Sequence, residues 1–142
     1  MLLQACGTAG VFEKTEAFSN HAWPSSSRLN FTFDIQDTEA YYNVYFVLRH
    51  TDAYRYNNIW LSVTSFAAGD TAVTKQVPFV LANNNGWLGS AMDDIIEQRL
   101  GITDRPVKLK KGVYTVMLQQ IMREDPLQNI LNSGIRIEKV VQ

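Results

Sequence analysis

The chain has 142 residues and a nearly balanced charge, with 13 lysines and arginines against 14 aspartates and glutamates. A chain of this length forms one domain and buries roughly 70% of the surface that its unfolded form exposes. The balanced charge argues against a nucleic-acid partner, which requires a basic surface, and no apolar run approaches the roughly 18 residues of a transmembrane helix.

The first ten residues contain the single cysteine of the chain, Cys6. One thiol has no disulfide partner within the chain, so it is a buried apolar residue, a reactive thiol, an intermolecular link or a modification site. Bacterial lipoproteins are cut just before a cysteine that follows a short stretch of apolar and small residues, and Leu3-Gln4-Ala5-Cys6 matches that pattern. We therefore expect residues 1–5 to be a signal-peptide remnant and residues 6–10 to be a tether after a lipidated cysteine.

The rest of the chain, residues 11–142, alternates apolar and polar residues with the period of half-buried strands. Pro78 interrupts one of these segments, which indicates an edge strand or a bulge. We predict about seven to nine strands in a single domain. The clearest segments run from Leu29 to Ile35, Asn43 to Thr51, Ile59 to Val63, Val73 to Leu81, Val107 to Leu109, Val113 to Met122 and Ile135 to Val141.

Two further segments carry helix signals. The first begins at Ser90, a capping residue, and ends at Gly101, a residue typical of helix C-termini. The second begins at Asp125, with Pro126 in the first helical position, and ends at Gly134. The sequence therefore predicts an all-β fold, an antiparallel β-sandwich of jelly-roll type with one or two short crossover helices.

Catalytic patterns are missing from the sequence. No nucleophile with a base, no metal-binding motif and no glycine-rich phosphate loop occurs at a recognisable spacing. His50, at the end of a strand, is predicted to be a structural hydrogen-bonding group. Asp34 and Asp37 bracket the end of another strand and are weak candidates for a calcium site. We expect no enzymatic activity and no cofactor.

Aromatic and basic side chains suggest a binding surface instead. The rings of Trp23 and Trp87 could stack on sugars, which makes a glycan-binding module one hypothesis, or they could pack turns onto the core. Trp60, in the middle of an apolar strand, is predicted to be a core residue. The candidate binding residues are Trp23, Arg49, His50, Tyr54, Tyr56, Trp87 and Arg123.

Several blocks of residues occur in order along the chain: Val11-Phe12-Glu13-Lys14, Phe31-Thr32-Phe33-Asp34-Ile35, Tyr42-Asn43-Val44-Tyr45, Leu48-Arg49-His50-Thr51, Tyr54-Arg55-Tyr56-Asn57-Asn58-Ile59-Trp60-Leu61, Gly86-Trp87-Leu88-Gly89, Met122-Arg123-Glu124-Asp125-Pro126-Leu127 and Gly134-Ile135-Arg136-Ile137-Glu138-Lys139. In these blocks the chain resembles the gliding motility-associated lipoprotein family GldH of the Bacteroidetes. The resemblance implies a non-enzymatic protein of the cell envelope, associated with gliding motility and type IX secretion, with Cys6 as its lipidated residue. We expect its partners to be the membrane and other envelope proteins. Because no acidic run follows Cys6, we expect the anchored domain to face the periplasm.

Overall fold

The computed structural model describes residues 7–141. These residues form strands joined by turns, with one short 3-10 turn at Ser19–His21. In chain order, the strands are β1 (Gly7–Ala17), β2 (Ala22–Trp23), β3 (Leu29–Ile35), β4 (Tyr41–Thr51), β5 (Asn58–Ala67), β6 (Val73–Val80), β7 (Ala82–Asn83), β8 (Gly86–Trp87), β9 (Ser90–Met92), β10 (Ile95–Gly101), β11 (Val107–Lys108), β12 (Gly112–Gln120), β13 (Leu127–Gln128) and β14 (Ile130–Val141).

Two antiparallel sheets make the sandwich. Sheet A has the strand order β1-β14-β4-β10-β9, with β11 also paired to β4. Sheet B has the order β3-β12-β5-β6. Two short ladders, β2 with β13 and β7 with β8, lie outside both sheets. The predicted antiparallel β-sandwich is confirmed.

The core lies between the two sheets and follows directly from the alternation in sequence. In β3 every second residue, from Leu29 to Ile35, is buried, and the residues between them are exposed. The even-numbered residues of β4 from Tyr42 to Leu48 point into the same core. Because successive side chains of a strand point to opposite faces, a period of two places one set inside and leaves the other outside.

Strand β6 lies at the edge of sheet B, as its proline predicts. Pro78 is exposed and lies opposite Trp60 of β5. A proline cannot donate a hydrogen bond to a neighbouring strand, so it is tolerated where one side of the strand is free. Of the two predicted alternatives, an edge strand and a bulge, the structure has the edge strand.

The helix predicted from Ser90 to Gly101 is wrong. This segment forms the hairpin of β9 and β10, with Asp93 in the turn at a positive φ of 57°. In β10 the buried residues Ile96 and Gln98 alternate with partly or fully exposed neighbours, and Ile96 lies opposite His50 of β4. Pairing with a central strand outweighs capping signals when a short segment offers few helical turns.

The helix predicted from Asp125 to Gly134 is also wrong. Asp125 accepts hydrogen bonds from the backbone and the hydroxyl of Ser25, at 2.8 and 2.6 Å, and so joins two loops. The peptide bond before Pro126 is cis. Gly134 lies within β14, and a Cβ there would overlap the backbone of β1, so the glycine permits close strand pairing and does not end a helix.

The N-terminal predictions have different outcomes. Residues 1–5 and Cys6 lie outside the described residues. Strand β1 begins at Gly7 and pairs with β14 from Gly7 opposite Val141 onward. Residues 7–10, which the sequence suggested as part of a tether, therefore belong to sheet A in the structure.

Candidate functional site

Four of the candidate residues meet at one end of the sandwich, and we call them the aromatic cluster. The ring of Tyr54 lies 5.3 Å from that of His50, 5.6 Å from Tyr56 and 6.3 Å from Trp87, measured between ring centroids. Trp87 meets His50 edge-on at 4.6 Å. His50 and Tyr54 are buried, whereas Tyr56 and Trp87 are partly exposed. The cluster joins β4, the turn after it and β8.

His50 is the polar centre of this cluster. Its Nδ1 lies 2.8 Å from the carbonyl oxygen of Thr51 and therefore donates to it. Its Nε2 accepts from the side-chain amide of Gln98 at 3.1 Å, and the same amide nitrogen donates to the carbonyl of Leu81 at 3.1 Å. Burial lowers the pKa of His50, although the bond to Thr51 opposes that shift. The imidazole is thus neutral and fully hydrogen-bonded, which is the structural role predicted for it.

Tyr56 continues the cluster to the surface through Glu124. The hydroxyl of Tyr56 donates to Glu124 Oε1 at 3.0 Å, and Arg55 forms an ion pair with the same oxygen. Burial opposes ionisation of Glu124, but hydrogen bonds from the backbone of Gln128, from Arg55 and from Tyr56 together lower its pKa. The pKa of Tyr54 is raised, mainly by burial. Tyr56 therefore ties the turn after β4 to the loop before β13, whereas the hydroxyl of Tyr54 donates to the carbonyl of Asn58 at 2.9 Å.

The remaining three candidates do not join this cluster. Trp23 is completely buried, stacks on Phe18 with a centroid distance of 5.2 Å, and donates from Nε1 to the carbonyl of Ser27 at 3.0 Å. A buried ring cannot serve as a glycan platform, so that hypothesis is wrong for Trp23. Arg123 is exposed and borders a shallow depression of about 260 Å³ beside Tyr56 and Trp60.

Arg49 lies on the outer face of sheet A, within a network of charged side chains. Its Nε is 3.8 Å from Glu97. Arg136 bridges Glu138 at 2.6 Å and Glu13 at 2.7 Å, and so links β14 to β1. The hydrogen bonds that Arg136 donates to Glu138 and Glu13 raise its pKa. The ion pairs on this face are therefore mostly formed between residues of the same sheet.

The outer face of sheet B has the opposite character. Trp60, predicted to be a core residue, is 41% exposed on this face, because Ile59 and Leu61 on either side of it point inward. The alternation that placed its neighbours in the core was the signal that could have located it. Asp34 is the one charged side chain in the described strands of this face, and the exposed Arg28, directly before β3, borders it. The other outward residues are Asn30, Thr32, Val113, Thr115, Met117, Gln119, Trp60, Ser62, Thr64, Phe66, Thr74, Gln76, Pro78 and Val80.

The two weak candidates for a calcium site have protein partners. Asp37 forms an ion pair with Lys139 at 2.8 Å and accepts from the backbone of Glu39 at 3.0 Å. These contacts, led by the hydrogen bond from Lys139, lower its pKa. Asp34 accepts a hydrogen bond from Gln36. Between residues 7 and 141 no three histidine, cysteine or acidic side chains gather into a possible metal site, and that part of the chain has no helix able to cross a membrane.

Comparison with known proteins gives two similar relatives over almost the whole chain. The gliding motility lipoprotein GldH homolog of Christiangramia forsetii is 27% identical, covering 98% of this chain and 90% of that protein. The gliding motility lipoprotein GldH of Flavobacterium johnsoniae is 29% identical, covering 98% and 91%. A solved structure of an infectious bursal disease virus VP2 subviral particle aligns with 96% of this chain and 33% of its own, at 13% identity and a TM-score of 0.39.

The family comparison agrees with the ordered blocks seen in the sequence. The model of the GldH lipoprotein family matches residues 10–137, which is most of the chain and nearly all of the sandwich. The relatives carry the same family name along with the description of a motility lipoprotein. The chain therefore belongs to the GldH lipoprotein family and is a gliding-motility-associated lipoprotein, anchored at the cell envelope.

Proposed function

We propose that this protein is a non-enzymatic assembly module that holds other envelope proteins of the gliding and type IX secretion machinery at the membrane. A lipid anchor on Cys6 retains the domain, and the sandwich faces the periplasm. Membership in the GldH lipoprotein family supports the setting. The low charge and exposed apolar residues on the outer face of sheet B support the role as an assembly module.

That face is the observation on which the assembly role depends. The outer face of sheet A forms ion pairs between residues of the same sheet. Sheet B presents hydroxyl, amide and apolar side chains, with Trp60 41% exposed, Val113 46% exposed and Val80 58% exposed. Depletion of charge together with exposed aromatic and aliphatic residues is the composition of a protein interface. The face also ends at β6, an edge strand.

The anchor is tested by following acylation in cells. We expect the protein, expressed with its native upstream sequence, to incorporate labelled palmitate, and the Cys6→Ser variant to lose the label and leave the membrane fraction. In a lipidated N-terminal cysteine the thiol carries lipid, and the serine variant has no thiol to modify. Since more than one chain is needed for durable anchoring, the variant should not stay at the membrane. Unlabelled wild-type protein would contradict the anchor but would leave the docking face untested by this experiment.

The docking face is tested by photocrosslinking in the native host. A photoreactive amino acid is placed at Thr64 on the outer face of sheet B and, as a matched control, at Glu97 on the outer face of sheet A. Both are strand residues with side chains at the surface. We expect a discrete adduct with an envelope protein from position 64 and none from position 97. Adducts of equal yield from both positions, or from neither, would contradict a specific interface on sheet B.

The cellular role is tested by deleting the gene. We expect loss of surface spreading or of type IX secretion, restored by the wild-type gene and not by a gene carrying Thr64→Arg, since a buried unpaired charge opposes docking. Unchanged spreading and unchanged secretion in the deletion strain would rule out the assembly role in this machinery.

A second candidate function is glycan binding at the same face. A groove of about 240 Å³ contains Ser62, Thr64, Thr74 and Gln119, whose hydroxyl and amide groups suit sugar hydroxyls, and Trp60 is two residues away on the same strand. An aromatic ring beside such groups can stack on a sugar. A glycan array should then give binding that is lost in Trp60→Ala; no binding by the wild-type protein would exclude this function.

A further inference from the structure

The sandwich contains an apolar chamber at the end opposite the aromatic cluster. Its volume is about 130 Å³, and its walls are mainly apolar side chains from both sheets and from the segment 102–109. Protein cores are packed almost without voids larger than a water molecule. An apolar cavity of about 150 Å³ stays dry and binds small hydrocarbons such as benzene. The residues that define the chamber here include Phe33, Val44, Val63, Val107, Leu109 and Val116.

The chamber adjoins a groove that opens to solvent. The groove has a volume of about 330 Å³ and runs between β5, β6 and the segment 102–107. Val63, Ser65 and Val107 are among the residues that border both spaces. The groove alone reaches the lower limit of about 300 Å³ that is usual for ligand pockets. Together they form a path from the surface into the core, which we call the inter-sheet cleft.

Charged residues stand at the outer end of this cleft. Lys75 of β6 and Arg105 of the facing segment both border the groove and are exposed. Neither forms an ion pair with any described residue. Asp104 is the third charged group at the mouth, so the local charge there is net positive by one. An anionic head group would therefore find cationic partners at the point where an apolar tail enters.

We propose that the inter-sheet cleft binds a single-chain anionic amphiphile, with the end of its hydrocarbon tail in the chamber, the rest of the tail along the groove and its carboxylate or phosphate head between Lys75 and Arg105. Hydrocarbon burial stabilises the complex in proportion to the apolar area removed from water. Charge-assisted hydrogen bonds from two cations fix the head.

The lining of the chamber favours a hydrocarbon tail over a peptide segment. Ser65 and Thr103 contribute aliphatic hydroxyl groups to its walls. The hydroxyl of Thr103 already accepts a hydrogen bond from the backbone nitrogen of Val44 at 3.3 Å. The backbone nitrogens of Ile102 and Thr103 are bonded to the carbonyl of Val44. A peptide would bring backbone polar groups into the chamber with few partners, at a substantial cost. A hydrocarbon chain has no such groups.

The test uses the full chain carrying Cys6→Ser, titrated calorimetrically with decanoate below its micellar concentration. Decanol and decyltrimethylammonium are the probes with a neutral and a cationic head. We expect decanoate to bind best. The double variant Lys75→Glu, Arg105→Glu should weaken decanoate binding by at least about tenfold, because the head loses two charged donors, and should favour the cationic probe. A matched double variant, Lys14→Glu, Lys111→Glu, reverses two exposed charges outside the cleft and should bind decanoate as the parent does.

A second experiment blocks the inter-sheet cleft with a bulky side chain. Ser65→Trp adds a large ring at an exposed position on the cleft wall, where it leaves the core packing intact, and should abolish binding while thermal unfolding stays cooperative. Val107→Trp is a second block, from the opposite wall. Folded protein that does not bind decanoate would overturn the proposal, as would undiminished binding in both tryptophan variants. Binding of a short peptide ending in leucine, with none of decanoate, would overturn it too.

Discussion

Replacing Gln98 by leucine is the sharpest test of the aromatic cluster as a structural unit. The amide of Gln98 is buried and donates to two acceptors, His50 Nε2 and the carbonyl of Leu81, each at 3.1 Å. Leucine has a similar size and no donor. The substitution therefore removes two hydrogen bonds while it keeps the volume of the side chain nearly constant.

The expected loss can be worked out from what each acceptor keeps. The carbonyl of Leu81 still accepts from the backbone of Leu88 at 2.9 Å, so it loses only one hydrogen bond, about 0.5–1.5 kcal/mol. The Nε2 of His50 has no other partner that the described contacts show and becomes a buried unpaired acceptor, about 1–3 kcal/mol. We expect a total of about 1.5–4.5 kcal/mol, a large share of the roughly 5–15 kcal/mol that stabilises a domain.

Urea unfolding followed by tryptophan fluorescence measures this loss as a shift of the midpoint at constant slope. The matched control is Gln76→Leu, an exposed glutamine on β6, which should change stability by less than about 0.5 kcal/mol. The double variant His50→Phe, Gln98→Leu should lose less stability than the sum of its single changes, because without the imidazole no Nε2 is left unpaired. The carbonyl of Thr51 also keeps the backbone of Tyr54 as a donor at 3.2 Å. Equal, small effects of Gln98→Leu and Gln76→Leu would refute the reasoning.

Three further predictions concern other parts of the fold. Burial lowers the pKa of His50 in the folded state, so below about pH 6.5 the unfolded chain binds more protons than the folded chain. The free energy of unfolding should therefore be highest above that pH and should fall as the pH drops towards about 5. His50→Phe should flatten this slope, and an unchanged slope would contradict the assignment. Gly134→Ala would place a Cβ against the backbone of β1 and should lower the free energy of unfolding by at least about 1–3 kcal/mol. Gly10→Ala would place its Cβ against the movable guanidinium of Arg136 and should lower it by less. Thermal melts of the two variants compare the losses, and equal losses would contradict this reading. Trp23→Ala should cost about 3–5 kcal/mol because its ring is completely buried, whereas Trp60→Ala should cost less than about 1 kcal/mol; similar losses in denaturation curves would contradict their assigned environments.

The strands were predictable because their signal is local. Leu29 to Ile35 matches β3 residue for residue, since a strict period of two leaves one choice of inward face. Pro78 located an edge strand correctly because a missing backbone donor is compatible with few positions in a sheet. The ordered residue blocks likewise predicted the GldH lipoprotein family that the comparison confirms.

The helix predictions failed where local signals competed with distant partners. Ser90 to Gly101 contains a capping residue, a glycine and apolar residues that suit a helix, but β4 offers an unpaired edge, and β10 hydrogen-bonds to it. The sequence could not show that this edge was free, because it depends on where β14 and β11 pair. Short segments adopt the structure that their tertiary environment stabilises.

The candidate binding residues show the same division. The structure brings His50, Tyr54, Tyr56 and Trp87 together, but His50 and Tyr54 are buried. The binding surface predicted from these residues stays a prediction. Trp60, predicted to be a core residue, follows the outward phase of β5, and Trp23, for which both environments were open, packs under Phe18. A tryptophan has both apolar area and a polar group, so composition alone does not decide which environment it takes.

By itself, the sequence determined the family, the all-β class and the inward face of strands with a strict alternation such as β3, since these depend on ordered motifs and on a period of two that neighbouring residues display. Only the tertiary structure decided that two capped segments are strands, that sheet A forms ion pairs between its own residues, and that sheet B presents Trp60 on an almost uncharged face. These properties depend on pairings such as Ile96 with His50 and Arg136 with Glu13. The residues in each pair are far apart in sequence, and their contact energy exists only once both strands are in place.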